Sequence, residues 1–258
     1  MDQLLPQVID THCHLDFDDF DADREQVIAA AVANAVRAMV NVGSTVENSA
    51  RAVELAARYP AIYACVGCHP HDAEGFGDEG MARLEELSAS PKVVGIGETG
   101  LDYYRDLSPR EKQRRVFALQ IELAKRRGLP LVIHSREAQD DTIAIMREHR
   151  VERAIIHCFS GPATFLTACL DLGYYVSFTC NITYKKANML REMVALAPLE
   201  RVCVETDCPY LPPEGSRGRR NDPLGARVAL EQVAKIKGID IQAAAAATTA
   251  NARAFFGI

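Results

Sequence analysis

The sequence lacks the features of a membrane protein or an exported protein. No uninterrupted apolar run approaches the roughly 18 residues that a membrane-spanning helix needs. The first residues, MDQLLPQVIDTHCH, contain neither the basic stretch nor the apolar stretch of a signal peptide. Low-complexity runs are also absent, and Gly and Pro make up 28 of the 258 residues, so we expect no long disordered segment. We therefore expect a cytoplasmic protein that has no membrane partner.

The net charge and the cysteines bear on the class of protein and on the state of its thiols. A formal net charge of −6 argues against a protein that coats nucleic acid with its whole surface, although it allows a local basic patch. The eight cysteines are expected to be reduced thiols in a packed interior. With 48% hydrophobic and 25% charged residues, the composition is that of a globular protein and favours no substrate class.

Eight short apolar runs recur along the chain, and stretches with helical spacing lie between them. The runs are continuous rather than alternating, as expected for parallel strands that are buried on both faces. They cover residues 8–10, 37–42, 61–66, 92–97, 130–134, 153–157, 174–178 and 201–205. Eight strand–helix units in 258 residues predict a (β/α)8 barrel, with an open doubly wound sheet as the alternative. No linker divides the chain, so residues 1–258 are predicted to form a single domain.

The helical stretches have recognisable ends. Helices are predicted over residues 24–34, 45–59, 109–127, 139–148, 162–172 and 185–196. Ser108 and Pro109 predict a helix start, with serine as the cap and proline at the first helical position. Gly128, two residues before Pro130, predicts the end of the same helix. The Ala-rich tail, 240–258, is predicted to be a helix that packs across the outside of the barrel.

Polar residues follow the apolar runs at the carboxyl ends of the strands, where (β/α)8 barrels carry their chemistry. Six of the seven histidines fall there, and His149 is the exception. The full set is His12, His14, His69, His71, Glu98, His134, His157, Glu205 and Asp207. One such histidine is more often a hydrogen-bonded core residue, but so many polar groups in one barrel mouth are costly unless something binds them. Imidazole and carboxylate together suit a divalent first-row metal.

The number of candidate ligands exceeds what one ion needs. His12 and His14 lie two residues apart on a strand, so their side chains point to the same face. One ion needs only three or four protein ligands, and the candidates are His12, His14, Glu98, His134, His157 and Asp207. This surplus predicts two divalent ions about 3.5–4 Å apart with a bridging carboxylate. Glu98, midway in chain order between the histidine groups, is the candidate bridge; Mg, Mn and Zn stay open as the metal.

Residues 65–71, CVGCHPH, contain the C-x-x-C-H pattern of covalent haem attachment. That attachment requires export, which the N-terminus does not support, so we expect no haem. A zinc site made by Cys65 and Cys68 would need two further ligands nearby. The strand-end histidines are already the candidates for the divalent-metal site at the barrel mouth. These cysteines are therefore expected to be buried reduced thiols, with a redox dithiol as the alternative. His69 is the candidate for substrate contact, and His71 is expected to brace the loop.

The segments DTHCHLD, GCHPHD, GETGLDYY, HSREA, HCFSG and ETDCPYL, in this order, resemble the TatD-type metal-dependent deoxyribonucleases of the amidohydrolase superfamily. The resemblance runs from residue 8 to the closing TTANARAFFGI. It implies a barrel with a divalent-metal site that hydrolyses phosphodiester bonds in DNA, often as a 3′ exonuclease, with a role in DNA repair or turnover. The implied substrate is single-stranded DNA or DNA 3′ ends. Carried over residue by residue, it implies the same six metal ligands, and it places His69 at the substrate.

These residues suggest roles in catalysis. Asp207 is the candidate to orient the attacking water and accept its proton. His69 either hydrogen-bonds the phosphate or protonates the leaving oxygen. Glu98 is counted as catalytic because it is the candidate bridge. Glu205 either holds a ligand histidine from behind or acts as a third acid at the nucleophile.

Three further groups are candidates for substrate contact. Arg136, two residues after His134, either contacts phosphate or pairs with a neighbouring acid. The segment SRGRRNDP, after strand eight, holds a basic cluster that either tracks a DNA backbone or is a solvated loop. Arg220 is the candidate contact in this cluster, which also contains Arg217 and Arg219. Tyr103 and Tyr104, which follow Glu98, either stack a base or pack the barrel mouth.

Rival functions remain from other classes. A hydrolase of another ester or amide, a lactone or a phosphotriester would use the same ligands, and so would an aminoacyl-tRNA deacylase. A non-catalytic metal-binding protein is disfavoured by Asp207, because a structural metal site does not need surplus acids.

Overall fold

A computed structural model of the protein describes residues 5–258, and the first four residues of the predicted domain lie outside this range. Eight parallel strands form one sheet in which each strand pairs with the next along the chain. They are β1 (Val8–Cys13), β2 (Val36–Val42), β3 (Ile62–Val66), β4 (Val93–Asp102), β5 (Leu131–Arg136), β6 (Ala154–Ile156), β7 (Tyr175–Phe178) and β8 (Val202–Val204). The nearly closed sheet confirms the predicted barrel. The alternative of a doubly wound sheet is wrong, because such a sheet reverses its strand order at a switch point.

In the described part of the chain, eight helices alternate with these strands on the outside of the sheet, and a ninth helix follows the eighth directly. They are α1 (Arg24–Ala33), α2 (Val46–Arg58), α3 (Asp78–Leu87), α4 (Arg110–Arg127), α5 (Gln139–Glu148), α6 (Ala163–Asp171), α7 (Asn188–Leu196), α8 (Gly225–Lys237) and α9 (Ile241–Phe256). All six helices predicted between the strands are present, and α3 and α8 complete the series. Among residues 5–258, no helix has both the length and the apolar character needed to cross a membrane.

Hydrogen bonds beyond the strand ends join β8 to β1. The backbone N–H of Asp207 donates to the carbonyl of His12 at 2.9 Å, and that of His14 donates to the carbonyl of Cys208 at 2.8 Å. The Thr11 hydroxyl donates to the carbonyl of Val204 at 3.1 Å. The chain after β8 is therefore held beside the end of β1, which brings Asp207 next to the His12 and His14 pair.

Inward-facing side chains fill the barrel interior. A buried apolar cluster takes residues from seven of the eight strands: Ile9, Val40, Cys65, Val94, Val132, Ile155 and Cys203, with Tyr175 of β7 packed against it. Three residues of α9 complete the cluster: Ala252, Phe255 and Phe256. Such a filled interior is a packed core and not a pore.

The position of α9 corrects the prediction that the tail lies across the outside of the barrel. The Arg153 guanidinium donates to the carbonyl of Phe255 at 2.7 Å, and the Asn251 amide donates to the carbonyl of Val202 at 2.8 Å. Arg153 precedes β6 and Val202 begins β8, so α9 covers the end of the barrel where the strands begin. The physical reason is that the inward apolar side chains at this end need a cover, which the two phenylalanines provide.

Replacing Phe255 by alanine should therefore destabilise the fold by about 3–5 kcal/mol, the usual cost of removing a buried phenylalanine. Phe255 is 2% exposed and its ring centroid lies 5.4 Å from that of Tyr175. The measurement is urea unfolding in the presence of a chelator. Leu119→Ala, at an exposed position on α4, is the control and should change the free energy of unfolding by less than about 0.5 kcal/mol. Equal losses for both variants would contradict the packing of α9 into the interior.

The start of α4 differs from the prediction, and its end agrees. The helix begins at Arg110, with Pro109 as the flanking residue and not the first helical one. Ser108 does not cap it, because the Ser108 hydroxyl donates to the carbonyl of His71 at 2.6 Å and accepts from the amide of Glu74 at 3.1 Å. Ser108 therefore fastens the loop after β3. Gly128 ends the helix in the left-handed conformation, with φ of 63°.

Strand β4 is longer than the apolar run that predicted it. The run ends at residue 97, whereas β4 continues to Asp102 and pairs with β5 up to Arg136. Gly100 allows this pairing, since its φ is +129° and a Cβ there would overlap the carbonyl oxygen of His134. The close approach of the two backbones sets Glu98 and Asp102 beside His134.

Candidate active site at the barrel mouth

The inward-facing rows of the barrel continue to its carboxyl end, where polar side chains replace apolar ones. On β5, Val132 belongs to the interior cluster, and His134 lies two residues further on the same face. Ile155 and His157 have the same relation at the end of β6. The structure brings the six predicted metal ligands together in this mouth: His12, His14, Glu98, His134, His157 and Asp207.

Glu98 lies at the centre of these residues. Its Oε1 is 2.8 Å from Nε2 of His157 and 3.0 Å from Nδ1 of His134. Its Oε2 faces the other way, 3.4 Å from Nε2 of His12 and 3.7 Å from Nε2 of His14. One carboxylate therefore presents an oxygen to each of two pairs of histidines.

Asp207 lies beside the first of these pairs. Its Oδ1 is 3.5 Å from Nε2 of His14 and 3.9 Å from Nε2 of His12. The backbone of Asp207 is left-handed, with φ of 56°, a conformation that costs energy for a residue with a Cβ. The hydrogen bond from its N–H to the carbonyl of His12 holds it there. The fold thus fixes this carboxylate at the mouth.

The charges of the site follow from burial and close neighbours. Burial would raise the pKa of Glu98, but His157 and His69 hold that pKa well below its usual range, so Glu98 is ionised. Burial would lower the pKa of His14, but the carboxylates of Asp207 and Glu98 outweigh it and raise that pKa to about 9. A proton must therefore leave His14 before its nitrogen can bind a cation, and cation binding is linked to proton release.

His69 is a neutral hydrogen-bond donor. Its Nδ1 accepts from the backbone N–H of His71 at 3.1 Å, so the proton of the ring is on Nε2. Nε2 lies 3.4 Å from Oε1 of Glu98. Burial lowers the pKa of His69 to about 4, and the nearby glutamate only partly opposes this effect. At neutral pH the ring therefore offers an N–H to the cleft and cannot act there as a charged acid.

Asp102 is a site residue that the sequence interpretation missed. It is fully buried, and its Oδ2 lies 3.1 Å from Nε2 of His134 and 3.0 Å from Nε2 of His71. Its Oδ1 accepts from the backbone N–H of Tyr104 at 3.0 Å and from that of Arg105 at 2.7 Å. Asp102 thus orients His134 so that Nδ1 faces Glu98, an arrangement common behind metal-binding histidines. The motif GETGLDYY contains the signal, two alternating positions beyond Glu98.

Glu205 lies behind His157. Its Oε1 is 3.4 Å from Nδ1 of His157 and accepts the backbone N–H of Cys158 at 2.7 Å, while its Oε2 accepts from the Ser177 hydroxyl at 2.5 Å. The side chain is fully buried and does not line the cleft. This position favours the interpretation that Glu205 holds a histidine from behind over that of a third acid at the nucleophile.

The residues fit divalent metal ions. Within residues 5–258, three groups bring ligand atoms within 4.8 Å of one another: His12, His14 and Glu98; His69, Glu98 and His134; and His12, His157 and Glu205. Two of these groups share Glu98. Among the described residues, Nδ1 of His12 is buried without a hydrogen-bond partner, and Nδ1 of His157 has the Glu205 carboxylate only at 3.4 Å. The opposite nitrogens, Nε2 of both rings, face Glu98 and are free to bind ions there.

A cleft of about 750 Å³ opens over this cluster. Part of its lining was expected from the sequence, namely His69, Glu98, His134, Arg136, His157 and Asp207. Other lining residues were not candidates from the sequence, and these are Phe17, Arg105, Leu107, Asn181, Tyr210 and Leu211, of which the last two end the segment ETDCPYL. Arg136 keeps its guanidinium carbon 4.0 Å from the centre of the Tyr104 ring. Tyr103 instead contacts α5, where its hydroxyl donates to Asp141 at 2.6 Å.

Arg220 lies away from this cleft, contrary to the prediction that it contacts substrate. Its guanidinium forms a two-pronged ion pair with Asp23, at 2.9 and 2.6 Å, and lies 4.5 Å from the centre of the Phe20 ring. It is not among the described residues that line the cleft. Arg217 stacks over Tyr184 at 4.7 Å. The charge of Arg220 is thus already paired, by an aspartate that is 197 residues distant in the chain.

The cysteines of CVGCHPH are buried thiols, as expected. Cys65 is fully buried and Cys68 is 2% exposed, and both are free. Burial raises the pKa of the Cys68 thiol to about 12, so it stays protonated at neutral pH. The thiolate that redox exchange requires is therefore suppressed.

A polar, metal-fitting cluster at the carboxyl end of a (β/α)8 barrel defines a metal-dependent hydrolase, and this protein is one. The family model described as TatD related DNase matches residues 9–257, and the chain belongs to that family.

Individual relatives match over almost their whole length. The uncharacterized metal-dependent hydrolase YabD of Bacillus subtilis is 42% identical, over 97% of this chain and 99% of that protein. The 3′-5′ ssDNA/RNA exonuclease TatD of Salmonella typhimurium is 34% identical, over 97% and 99%. The crystal structure of YJJV, a TatD homolog from Escherichia coli, superposes with a TM-score of 0.94 at 31% identity, over 99% and 100%.

Proposed function

We propose that this protein is a divalent-metal-dependent deoxyribonuclease that hydrolyses phosphodiester bonds at the 3′ ends of single-stranded DNA, with a role in DNA repair or turnover. The observation that carries the proposal is the position of Glu98, whose two carboxylate oxygens face two separate pairs of histidines. This arrangement suits two ions that share one carboxylate, the design used for in-line displacement at phosphorus.

Six residues would hold the two ions. His12, His14 and Asp207 lie on one side of Glu98, and His134 and His157 lie on the other. Bound there, divalent ions polarise a phosphodiester and make water a better nucleophile at neutral pH. Mg, Mn and Zn are all compatible with these nitrogen and oxygen ligands.

The side chains around the ions would carry out the remaining steps. Asp207 would orient the attacking water and accept its proton, because the neighbouring histidines outweigh burial and lower its pKa, keeping it ionised. His69 would donate its Nε2–H to a phosphate oxygen. Of the two roles open for His69, the neutral ring favours this hydrogen bond over protonation of the leaving oxygen. Asp102 and Glu205 would hold His134 and His157 in place.

The relatives support the choice of substrate. The Salmonella typhimurium relative is named a 3′-5′ ssDNA/RNA exonuclease, whereas the Bacillus subtilis relative is named only as a metal-dependent hydrolase. We also propose a cytoplasmic location, because all eight cysteines are free and seven of them are buried, as in reducing compartments.

The test is a substrate panel with the metal-loaded protein. Single-stranded DNA labelled at either end, duplex DNA, single-stranded RNA, charged tRNA and a small ester are incubated with Mg, Mn or Zn, each with and without a chelator. We expect chelator-sensitive release of nucleotides from the 3′ end of single-stranded DNA. Absence of chelator-sensitive cleavage of DNA would overturn the proposal. Activity confined to charged tRNA or to the ester would favour the alternative, a hydrolase of another ester or amide such as an aminoacyl-tRNA deacylase.

A further inference from the structure

The two sides of the cleft differ in chemistry. Arg105 and Arg136 follow β4 and end β5, whereas Phe17 and Tyr210 follow β1 and β8. In an eight-stranded barrel with sequential order, β4 and β5 lie across the mouth from β8 and β1. The cleft therefore has a cationic edge and, opposite it, an aromatic edge.

The aromatic edge is a pair of rings in contact. The Phe17 ring stacks on the His14 ring, with centroids 4.7 Å apart and planes 20° apart. The Tyr210 ring meets Phe17 edge to face at 6.2 Å and 78°. Tyr210 is 54% exposed, and Leu211 adds apolar surface to the same edge. An exposed aromatic patch in a cleft marks a surface that a ligand covers.

This pair lies directly against the hydrolytic cluster. Phe17 covers one face of His14, and the backbone N–H of Tyr210 donates to the carbonyl of Asp207 at 2.9 Å. A flat group stacked on Tyr210 would therefore lie close to Asp207 and to the histidine cluster beside it. In the proposed nuclease, this position would suit the base of the nucleotide that is removed.

The opposite edge suits phosphates. Among residues 5–258, the side chains of Arg105 and Arg136 are exposed, and neither forms an ion pair with a carboxylate. The Tyr104 ring supports the Arg136 guanidinium at 4.0 Å. Two unpaired guanidinium groups on one edge can follow the backbone of a strand, as basic grooves for single-stranded nucleic acids do.

We propose that the exposed ring of Tyr210, supported edge to face by Phe17, forms the platform on which the 3′-terminal base of a single strand stacks, while the preceding phosphates run towards Arg105 and Arg136. The inference rests on the proposed function and adds to it how the end of the strand is recognised. Every base has a π face, so the platform holds any of them and imposes little sequence preference. A base in a duplex must unpair before it reaches the platform, which favours single strands.

In the test, each of several variants is assayed on each of two substrates. The substrates are single-stranded oligonucleotides that end in a normal 3′ nucleotide or in a 3′ abasic nucleotide. The proteins are the wild type, Tyr210→Ala, Tyr210→Leu, Tyr210→Phe and Met189→Ala, the last at an exposed position on α7 outside the cleft lining. The measured quantity is kcat/KM for release of the terminal nucleotide, together with the metal content per chain and the KM.

The wild type should prefer the normal end by about 10-fold, the effect expected for one stacked base. Tyr210→Ala and Tyr210→Leu should lose most of this preference through a higher KM, with unchanged metal content. Tyr210→Phe and Met189→Ala should keep it. If Tyr210→Ala and Tyr210→Leu both keep the wild-type preference for the normal end over the abasic end, the platform proposal is wrong. The nuclease proposal would then still stand. Absence of chelator-sensitive cleavage of either substrate by the wild type would overturn both.

Discussion

Replacing Glu98 by glutamine should lower kcat/KM for DNA hydrolysis by about 10³-fold, the scale on which a preorganised electrostatic group contributes to catalysis. Glutamine keeps the shape of the side chain, but it replaces one acceptor oxygen with an N–H₂ donor and removes the charge. It can therefore no longer face an acceptor oxygen towards His157 and His134 on one side and towards His12 and His14 on the other. We expect the variant to bind fewer metal ions per chain, as measured by elemental analysis after gel filtration.

Thermal unfolding provides a second readout of the same variant. An ion present at 100 times its dissociation constant stabilises the fold that binds it by about 2.7 kcal/mol. The melting temperature of the wild type should therefore rise when ions are added, and that of Glu98→Gln should rise less. Glu148→Gln, at an exposed position at the end of α5, is the matched control and should behave as the wild type does. A Glu98→Gln protein with wild-type metal content and rate would show that Glu98 does not bridge ions.

Replacing Asp207 by asparagine should lower kcat for DNA hydrolysis by about 10²–10⁴-fold, the usual contribution of a general base. The amide is isosteric with the carboxylate but cannot accept a proton at neutral pH. Asparagine also tolerates the left-handed backbone, where φ is 56°, so the fold of this loop should be preserved.

The measurement for Asp207→Asn is kcat at saturating metal, with circular dichroism and metal content determined on the same preparation. Asp171→Asn, at an exposed position at the end of α6, is the control. If Asp207→Asn retains near-wild-type cleavage with its ions bound, Asp207 is not the proton acceptor. If it loses activity only in proportion to lost ions, Asp207 serves as a ligand and not as a base.

The sequence predicts the barrel well because continuous apolar runs indicate buried parallel strands, and their number, eight, fits a closed barrel better than an open sheet. It predicts the extent of a strand less well. The second half of β4, ETGLD, is polar and glycine-containing, and it is a strand only because it pairs with β5. Asp102 lies at the end of this half, beyond the apolar run, so the sequence does not mark it as a strand-end residue. The sequence also does not predict where α9 packs, because its Ala-rich face fits many surfaces.

The site residues likewise fall into two groups, those that the sequence places correctly and those that it does not. The six candidate ligands follow strands directly, so the strand positions alone predict that they meet. Arg220 was misplaced because its partner, Asp23, belongs to the other end of the chain and no local pattern links the two. Phe17 and Tyr210 lie in loops after different strands, and their contact depends on how the chain turns beyond β1 and β8.

The filling of the barrel interior restricts the path of any substrate. Because Phe255, Phe256 and the inward side chains occupy the barrel below the mouth, a strand cannot be threaded through the molecule. For the proposed nuclease, the strand end that enters the cleft and the nucleotide that leaves it would therefore use the same opening. The released nucleotide would then have to depart before the shortened strand could advance, so product release would precede strand translocation in each round.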